Sequence, residues 1–312
     1  VNEPISLRQL RYLVAVDDFR HFGRAAKACN VSQPSLSAQI RQVEERLGFA
    51  IFERGGRAIE ATPGGRQVLA RARRVLAEMD RLVAETLPGS APLSGPFHLG
   101  IIPTIAPYLL PRILPALRGM APDLKLYLIE ETTDHLLERL KRGTIDAAIL
   151  ALPIDERRFR TVPLYDEPFL AAVPSDHHLA ARRTLTPQEL RGEPVLLLED
   201  GHCFRDHALA VCQQAGTRDA GFDAASLTTL CEMVSGGLGS TLVPALATGG
   251  SAAGRVTIPF AEPAPSRRVG LVWPDGSGRR RTAAKLGAML QTLVPDALGK
   301  AVRPLSAGVS AV

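Results

Sequence analysis

The stretch Pro88-Gly89-Ser90-Ala91-Pro92-Leu93-Ser94-Gly95-Pro96 divides the chain. No helix or strand crosses three prolines, two glycines and two serines in nine residues. The fold must therefore be assembled from a short part before this hinge and a long part after it. A chain of 312 residues has room for two or three domains with cores of their own.

Before the hinge, apolar residues recur at helical spacing. Leu7, Leu10, Leu13, Val14, Val16 and Phe19 predict a helix over 7–21, and Phe22–Ala28 predicts a second. Ala25 and Ala26 are small enough for close helix contact. Cys29-Asn30 breaks the pattern and Val31 turns back into the core. Ser32 then stands as an N-cap, and Pro34 is tolerated in the first turn, where its missing N–H would be unpaired anyway. Leu36, Ile40, Val43 and Leu47 line one face of the third helix. The opposite face carries Gln33, Ser35, Ser37, Gln39 and Arg41. Two helices joined by a short turn, with small polar side chains and arginine on the outer face of the second, read as a helix-turn-helix head. Gln33, Gln39 and Arg41 suit base edges, while Ser32, Gln33, Ser35 and Ser37, near the helix start around Pro34, suit phosphate. The competing reading is a small helical bundle with a solvated face.

Phe52 to Gly64 predicts a hairpin wing with Arg54 and Arg57 near its tip, followed by Thr62 as the cap of a long helix ending near Leu87. Val68, Ala72, Val75, Met79 and Leu82 step by four and three, which suits pairing with a second copy. Arg71, Arg73, Arg74 and Arg81 are expected on its exposed side. Residues 1–87 carry 14 Lys/Arg and 10 Asp/Glu, net +4, whereas the rest carries 23 and 22, net +1. A basic head on a nearly neutral body points to a polyanion partner for the head.

After the hinge, short apolar runs alternate with helical stretches. Strands are expected at Leu99–Ile102, Leu124–Ile129, Ala147–Leu150, Phe169–Val173, Val195–Leu198, Ser240–Val243 and Val269–Trp273. Helices are expected from Pro103-Thr104 toward Leu117 and at Thr133–Lys141, Ser226–Ser235 and Arg281–Leu293. This alternation predicts an α/β body with mainly parallel sheets in two lobes. The expected division is a DNA-binding domain over 1–65, a dimerisation helix over 66–87, a hinge over 88–96, and an effector domain over 97–300. Within the last, lobe I spans 97–167 and 268–300 and lobe II spans 168–267. Residues 301–312 are expected to be a disordered tail.

Four cysteines, Cys29, Cys203, Cys212 and Cys231, are too scattered for a secreted disulfide scaffold. No Cys/His grouping has zinc spacing, so no metal is expected. His177-His178 and the pair His202/His207 read as surface or site residues rather than ligands. No basic-then-apolar leader opens the sequence and no apolar run reaches about 18 residues. The expectation is a cytoplasmic protein without a membrane partner and with reduced thiols. Cys29 and Cys231 read as packing residues.

Here the residues resemble a known family. Arg24-Ala25-Ala26, Val31 to Ser37, Ile40, Glu44, Leu47-Gly48, Phe52-Glu53-Arg54 and Thr62-Pro63-Gly64 are similar to the winged helix-turn-helix of LysR-type transcriptional regulators. The resemblance implies promoter DNA as partner, a homodimer reading two half-sites, and a body of two periplasmic-binding-protein-like α/β lobes. Most of the family holds a small metabolite between those lobes. This chain instead resembles the peroxide-sensing OxyR branch. The resemblance rests on Leu198-Glu199-Asp200-Gly201-His202-Cys203, Arg205-Asp206, Cys212 and Ala215-Gly216. Ile102-Pro103-Thr104, Pro107 to Pro111, Asp166-Glu167-Pro168 and Pro244 to Ala247 agree with it.

That resemblance implies that Cys203 is the peroxidatic cysteine and Cys212 the resolving one. His202 and Arg205 beside Cys203 would stabilise its thiolate. It also implies a hydrogen peroxide pocket containing Thr104, Thr133 and Arg267, with His202 and Asp206 nearby. The run Ser266-Arg267-Arg268 leaves the register open by one, so Arg268 competes. Thr104 and Thr133 read equally as helix caps, and Asp206 as a partner of Arg205 or a surface carboxylate. Where an amide is common in this branch, the chain has His207. In one helix, nine residues place the two thiol-bearing Cα atoms about 13 Å apart on opposite faces, beyond the roughly 7 Å a disulfide tolerates. Bridging them would refold the segment, while two unrelated thiols remain the bland alternative.

The function implied is a regulator, not an enzyme. It would need no cofactor and would be reset by a thiol reductant system. A homotetramer would change geometry with oxidation and so change promoter and RNA polymerase contacts. Two alternatives stand beside it: a regulator answering a small anion between the lobes, and a thiol peroxidase carried on a DNA-binding module.

Overall fold

The computed structural model describes residues 5–53, 59–86, 93–154, 158–249, 253–303 and 305. The chain divides into two compact units, 1–90 with 142–144, and 91–141 with 145–312.

The first unit is a helical head. Helices α1 (Leu7–Phe19), α2 (Phe22–Ala28) and α3 (Gln33–Leu47) precede a two-residue hairpin, β1 (Phe52–Glu53) and β2 (Glu60–Ala61), and the long α4 (Pro63–Thr86). Each start is encoded locally. Ser6 and Gln9 form a reciprocal capping box on α1. Ser32 Oγ accepts from the Ser35 N–H at 3.3 Å, and Thr62 Oγ1 accepts from the Gly65 N–H at 2.9 Å. The cap of α2 is His21, whose Nδ1 accepts from the Gly23 and Arg24 N–H groups. Leu13, Val16, Ala25, Leu36, Ile40, Val43 and Leu69 form the core of the head. Arg73 does not stay on the exposed side of α4. It reaches α1 and pairs with Asp17 at 2.8 Å and Asp18 at 2.6 Å. Val75 remains 45% exposed, so part of the apolar stripe on α4 is left uncovered.

The second unit is a mixed α/β body. Its elements are β3 (Gly95–Ile101), α5 (Ala106–Met120), β4 (Leu124–Glu130), α6 (Thr133–Arg142), β5 (Ala147–Leu152) and β6 (Phe159–Pro174). They continue with β7 (Pro194–Leu198), α7 (Cys203–Ala215), β8 (Arg218–Ala224), α8 (Leu227–Ser235), β9 (Thr241–Pro244), β10 (Arg255–Pro259), β11 (Ser266–Pro274) and α9 (Arg280–Leu298). The main sheet runs β10-β6-β11-β5-β3-β4, with β9 also pairing β6. The expectation of mainly parallel sheets is corrected here. Only β3 with β4, β3 with β5, and β7 with β8 are parallel among the named ladders, while β6 and β11 run antiparallel to every strand they pair. The reason is β6. Its first half pairs with β11 and its second half with β9 and β10, so one long strand passes from one core to the next.

Those cores are distinct. One gathers β3, α5, β5, β11 and α9 around Phe97, Leu99, Ile149, Leu271, Leu286 and Leu290. The other gathers β7, α7, α8 and the end of β6 around Phe169, Leu196, Phe204, Ala208, Cys212, Leu230 and Val243.

The boundaries differ from expectation at three places. Strand β3 begins at Gly95, inside the stretch read as hinge. Pro96 is tolerated because β5 pairs with β3 only from Leu99 onward, so Pro96 faces one neighbour. Strands β8 and β10 were not foreseen. Finally, Arg303 belongs to the body rather than a tail: it exchanges two backbone hydrogen bonds with Asp166 and its side chain pairs with Glu262.

Candidate functional site

In the head, the first turn of α3 presents Ser32, Gln33, Pro34 and Ser35 to solvent, and Arg41 is exposed two turns later. Ser37 is half-buried. Gln39 does not stand free on this face. Its Oε1 accepts from Gln9 Nε2 of α1 at 3.1 Å. Gln39 follows Leu36 by three and precedes Ile40, which places it on the flank of the apolar stripe rather than opposite it. Arg54 and Arg57 lie outside the described residues.

In the body, the redox candidates sit on α7. Gly201, with φ +92°, makes the turn from β7 into it, a backbone conformation that other residues enter at a cost. Cys203 is the first residue of the helix and His202 its N-cap, although the His202 side chain makes no capping bond. The two thiols stand in one continuous helix, so the spacing argument for about 13 Å applies directly. They also belong to different cores. Half-buried Cys203 packs against the first core, whereas Cys212 is a buried member of the second. Burial pushes the Cys212 thiol up from its ordinary pKa, against a partial offset from Thr217.

Arg267 is the charged centre of the site. It lies on β11 directly opposite Glu167 on β6, and neither side chain has any solvent exposure. Glu167 Oε2 accepts from Arg267 Nε at 2.8 Å and lies 2.7 Å from Nη2, while Oε1 accepts from the Leu246 N–H at 3.0 Å. Arg267 Nη1 donates to Thr104 Oγ1 at 2.8 Å and Nη2 to the Thr104 carbonyl at 3.0 Å. The guanidinium carbon stands 5.5 Å from the ring centre of Phe204, the second residue of α7. Burial opposes the charge of Arg267, but Glu167, then Tyr165 and Cys203, outweigh it and hold the side chain cationic. Arg267 is thus an electrostatic neighbour of Cys203. Arg268 faces away, held by Asp166 at 2.7 Å and 2.9 Å.

Thr104 is not a helix cap. Helix α5 begins two residues later behind Ile105, which offers no side-chain cap, and the Thr104 hydroxyl is taken by Arg267. Thr133 is not a cap either. It is the first residue of α6, and the carbonyl of the preceding Thr132 accepts from the Leu136 N–H at 3.0 Å. The Thr133 hydroxyl is buried with no hydrogen-bond partner. A Cβ built at Gly201 would meet Thr132 Cγ2 at 3.9 Å, so the turn before α7 stands against the start of α6. The Tyr165 hydroxyl is also buried and unpartnered, and His207 Nδ1 is buried with no contact that meets full hydrogen-bond geometry. Burial, then Arg267, push the His207 pKa down, against smaller opposing effects from Asp206 and the Cys203 carbonyl.

Asp206 is exposed and does not orient Arg205. Arg205 is held by Asp200 at 3.0 Å, by Asp223 at 2.7 Å and by the Leu198 carbonyl. Its charge is committed to those carboxylates, and the cation beside Cys203 is Arg267. Glu167 is the important residue that the sequence reading left without a role. The signal was a carboxylate whose same-face neighbours two positions away, Tyr165 and Phe169, are apolar, because a buried charge requires a partner.

Cys29 caps the end of α2 and Cys231 is buried on α8, both with pKa values pushed up by burial. No described helix is long and apolar enough to cross a membrane.

Comparison with known proteins agrees with this architecture. Residues 7–66 match the pattern described as bacterial regulatory helix-turn-helix protein, lysR family, and residues 90–294 match the LysR substrate binding domain. The chain is 42% identical over 302 residues to the DNA-binding transcriptional dual regulator OxyR of Escherichia coli K12, covering 96% of this chain and 99% of that protein. A full-length OxyR variant from Pseudomonas aeruginosa superposes with a TM-score of 0.79 at 35% identity, covering 99% of this chain and 100% of that one. A hydrogen-peroxide-bound cysteine mutant of Corynebacterium glutamicum OxyR superposes at 0.66 with 36% identity, covering 96% and 97%. These relatives are named as regulators rather than as enzymes. The chain belongs to the LysR family of bacterial helix-turn-helix regulators, on its OxyR branch.

Proposed function

We propose that this regulator senses hydrogen peroxide through Cys203. The observation that carries the reading is the charge balance around the pocket. Arg267 is already matched by Glu167, so the site offers directed N–H and O–H groups without net positive charge. Such a site suits a small neutral molecule that both donates and accepts, and it offers no net charge to draw an anion in from solvent. Thr104 accepts from Arg267 and keeps its own proton to donate. The unpartnered hydroxyl of Thr133 supplies a second donor and acceptor.

In the proposed reaction, the Cys203 thiolate attacks one peroxide oxygen. An S–O bond forms, the O–O bond breaks, and the second oxygen leaves as hydroxide, stabilised by Arg267 and taking a proton to become water. Sulfur is oxidised by two electrons and peroxide is reduced. Cys212 then attacks the sulfenic acid, an S–S bond forms and a second water leaves. Because α7 as one continuous helix holds the two Cα atoms about 13 Å apart on opposite faces, the second step requires the helix to open. The altered surface of the body then shifts the dimers of a homotetramer, and with them the promoter and RNA polymerase contacts. A thiol reductant system restores the starting state.

Mass spectrometry of the reduced protein after one equivalent of peroxide tests this. A Cys203–Cys212 bridge is expected. Modification of Cys29 or Cys231 with Cys203 intact, or a Cys203→Ser variant that still answers peroxide at its promoter, would overturn the assignment.

A further inference from the structure

A second cluster of ligand-type side chains lies at the entry to β7, next to the C-terminal end of α7. The loop after β6 carries His177 and His178 in succession, and Glu193 precedes β7. Nothing in their sequence spacing marks them as a set. The fold brings them together: the His177 and His178 nitrogens and a Glu193 carboxylate oxygen all lie within 4.8 Å of one another.

The geometry is specific. His177 Nε2 is 3.0 Å from Glu193 Oε2, and His178 Nε2 is 3.8 Å from Glu193 Oε1. Two ligand atoms on a tetrahedral zinc ion, each about 2.0–2.1 Å from the metal, stand about 3.3 Å apart. The two observed distances bracket that separation. The two rings face each other with centroids 4.4 Å apart, so both can present Nε2 to one point. Burial also fits. His177 and Glu193 are each 17% exposed, giving two fixed ligands, whereas His178 is 66% exposed and leaves the fourth position open to water.

We propose that His177, His178 and Glu193 form a binding site for one divalent ion of the zinc class. Two imidazoles and a carboxylate are a ligand set suited to zinc or cobalt rather than to calcium or magnesium. His177 Nδ1 accepts from the Leu179 N–H at 3.3 Å, which places the ring proton on Nε2, facing Glu193. Binding moves that proton to Nδ1, gives up the long Leu179 contact and frees Nε2 for the ion.

The position gives the ion a structural consequence. Glu193 is tied to the segment leaving α7: its carbonyl accepts from the Arg218 N–H at 2.9 Å, and the Gly192 N–H donates to the Gly216 carbonyl at 3.0 Å. An ion would join the loop after β6 to the segment entering β7, to which the end of α7 and the start of β8 are hydrogen-bonded.

The test is cobalt titration of the reduced full-length protein, followed by visible absorbance, then displacement by zinc. One cobalt ion per chain is expected, with d–d bands and no thiolate charge transfer, which distinguishes this site from the cysteines. His178→Ala and Glu193→Gln should each weaken binding by at least about tenfold, since even outer-sphere losses cost that much. His178 is exposed, so its variant should keep the wild-type melting temperature. No stoichiometric binding at micromolar cobalt, a thiolate signature, or unchanged affinity in His178→Ala would each overturn the proposal.

Discussion

Replacing Glu167 with alanine should unfold the body far more easily than its single carboxylate would suggest. The side chain holds Arg267 Nε and Nη2 and the Leu246 N–H, all with no exposure to water. Its loss leaves a buried guanidinium with Thr104 as its remaining hydrogen-bond partner and orphans a backbone N–H. Breaking a buried pair from one side costs about 3–5 kcal/mol, and the orphaned N–H places the expectation toward the upper part of that range. For a body of this size each kcal/mol lowers Tm by about 2–4 °C, so a loss of about 4–5 kcal/mol gives a fall of roughly 8–20 °C. The assay is built into the chain. Its single tryptophan, Trp273, lies 6% exposed on β11, the strand that carries Arg267, so urea unfolding followed by tryptophan fluorescence reports the body and not the head. Removing both charges by Glu167→Met with Arg267→Met should recover much of the loss. A Glu167→Ala variant within about 1 kcal/mol of wild type would refute the argument, as would strict additivity of the two changes.

Thr133→Val replaces an unpartnered buried hydroxyl by a methyl of the same shape. Stability should stay level or rise by up to about 1 kcal/mol, while oxidation of Cys203 by peroxide slows by about 100-fold; an unchanged rate in stopped-flow would remove Thr133 from the pocket. His207 has a lowered pKa in the fold, so the unfolded chain binds the extra proton first. Its contribution to stability is full above about pH 6.5 and is lost as pH falls through the lowered folded value. Denaturation between pH 5 and 7.5 should show that loss in wild type and a flatter profile in His207→Gln. Arg41→Ala should cost about 1–3 kcal/mol of promoter binding and relax discrimination at one base position. Weakening that is equal on all sequences, with the slope of log K against log salt reduced by about 0.9, would instead mark Arg41 as a phosphate contact.

What could be read from the sequence was what is decided locally. Ser32, Pro34 and the Leu36-Ile40-Val43 stripe fix the start and the buried face of α3 within a few residues of each other, and the head follows. Gly201 turns the chain into α7, a segment the sequence alone left helical only as a condition of the cysteine spacing. Strand β8 escaped because Arg218 to Ala224 contains Asp219, Gly221 and Asp223 and has no alternation; it exists because β7 offers it a parallel partner. The Arg267–Glu167 pair escaped for a related reason. Alternate residues of a strand face opposite ways, so choosing between Arg267 and Arg268 requires the register against β6, a hundred residues away. The metal-ligand geometry of His177, His178 and Glu193 is likewise a product of packing, not of spacing.

The division of α7 between two cores bears on how much oxidant the protein needs. On the proposed pairing, the disulfide forms only if Cys203 withdraws from one core, Cys212 from the other, or both. The reduction potential of the couple then contains the packing free energy of side chains that never approach sulfur. For a two-electron couple, about 1.4 kcal/mol of packing corresponds to roughly 30 mV. Trimming Val243 or Leu230, second-core residues outside α7, should therefore retune the potential in steps of that order. Sensitivity to oxidant would be inherited from the cores, and selection on ordinary hydrophobic residues would be sufficient to set it.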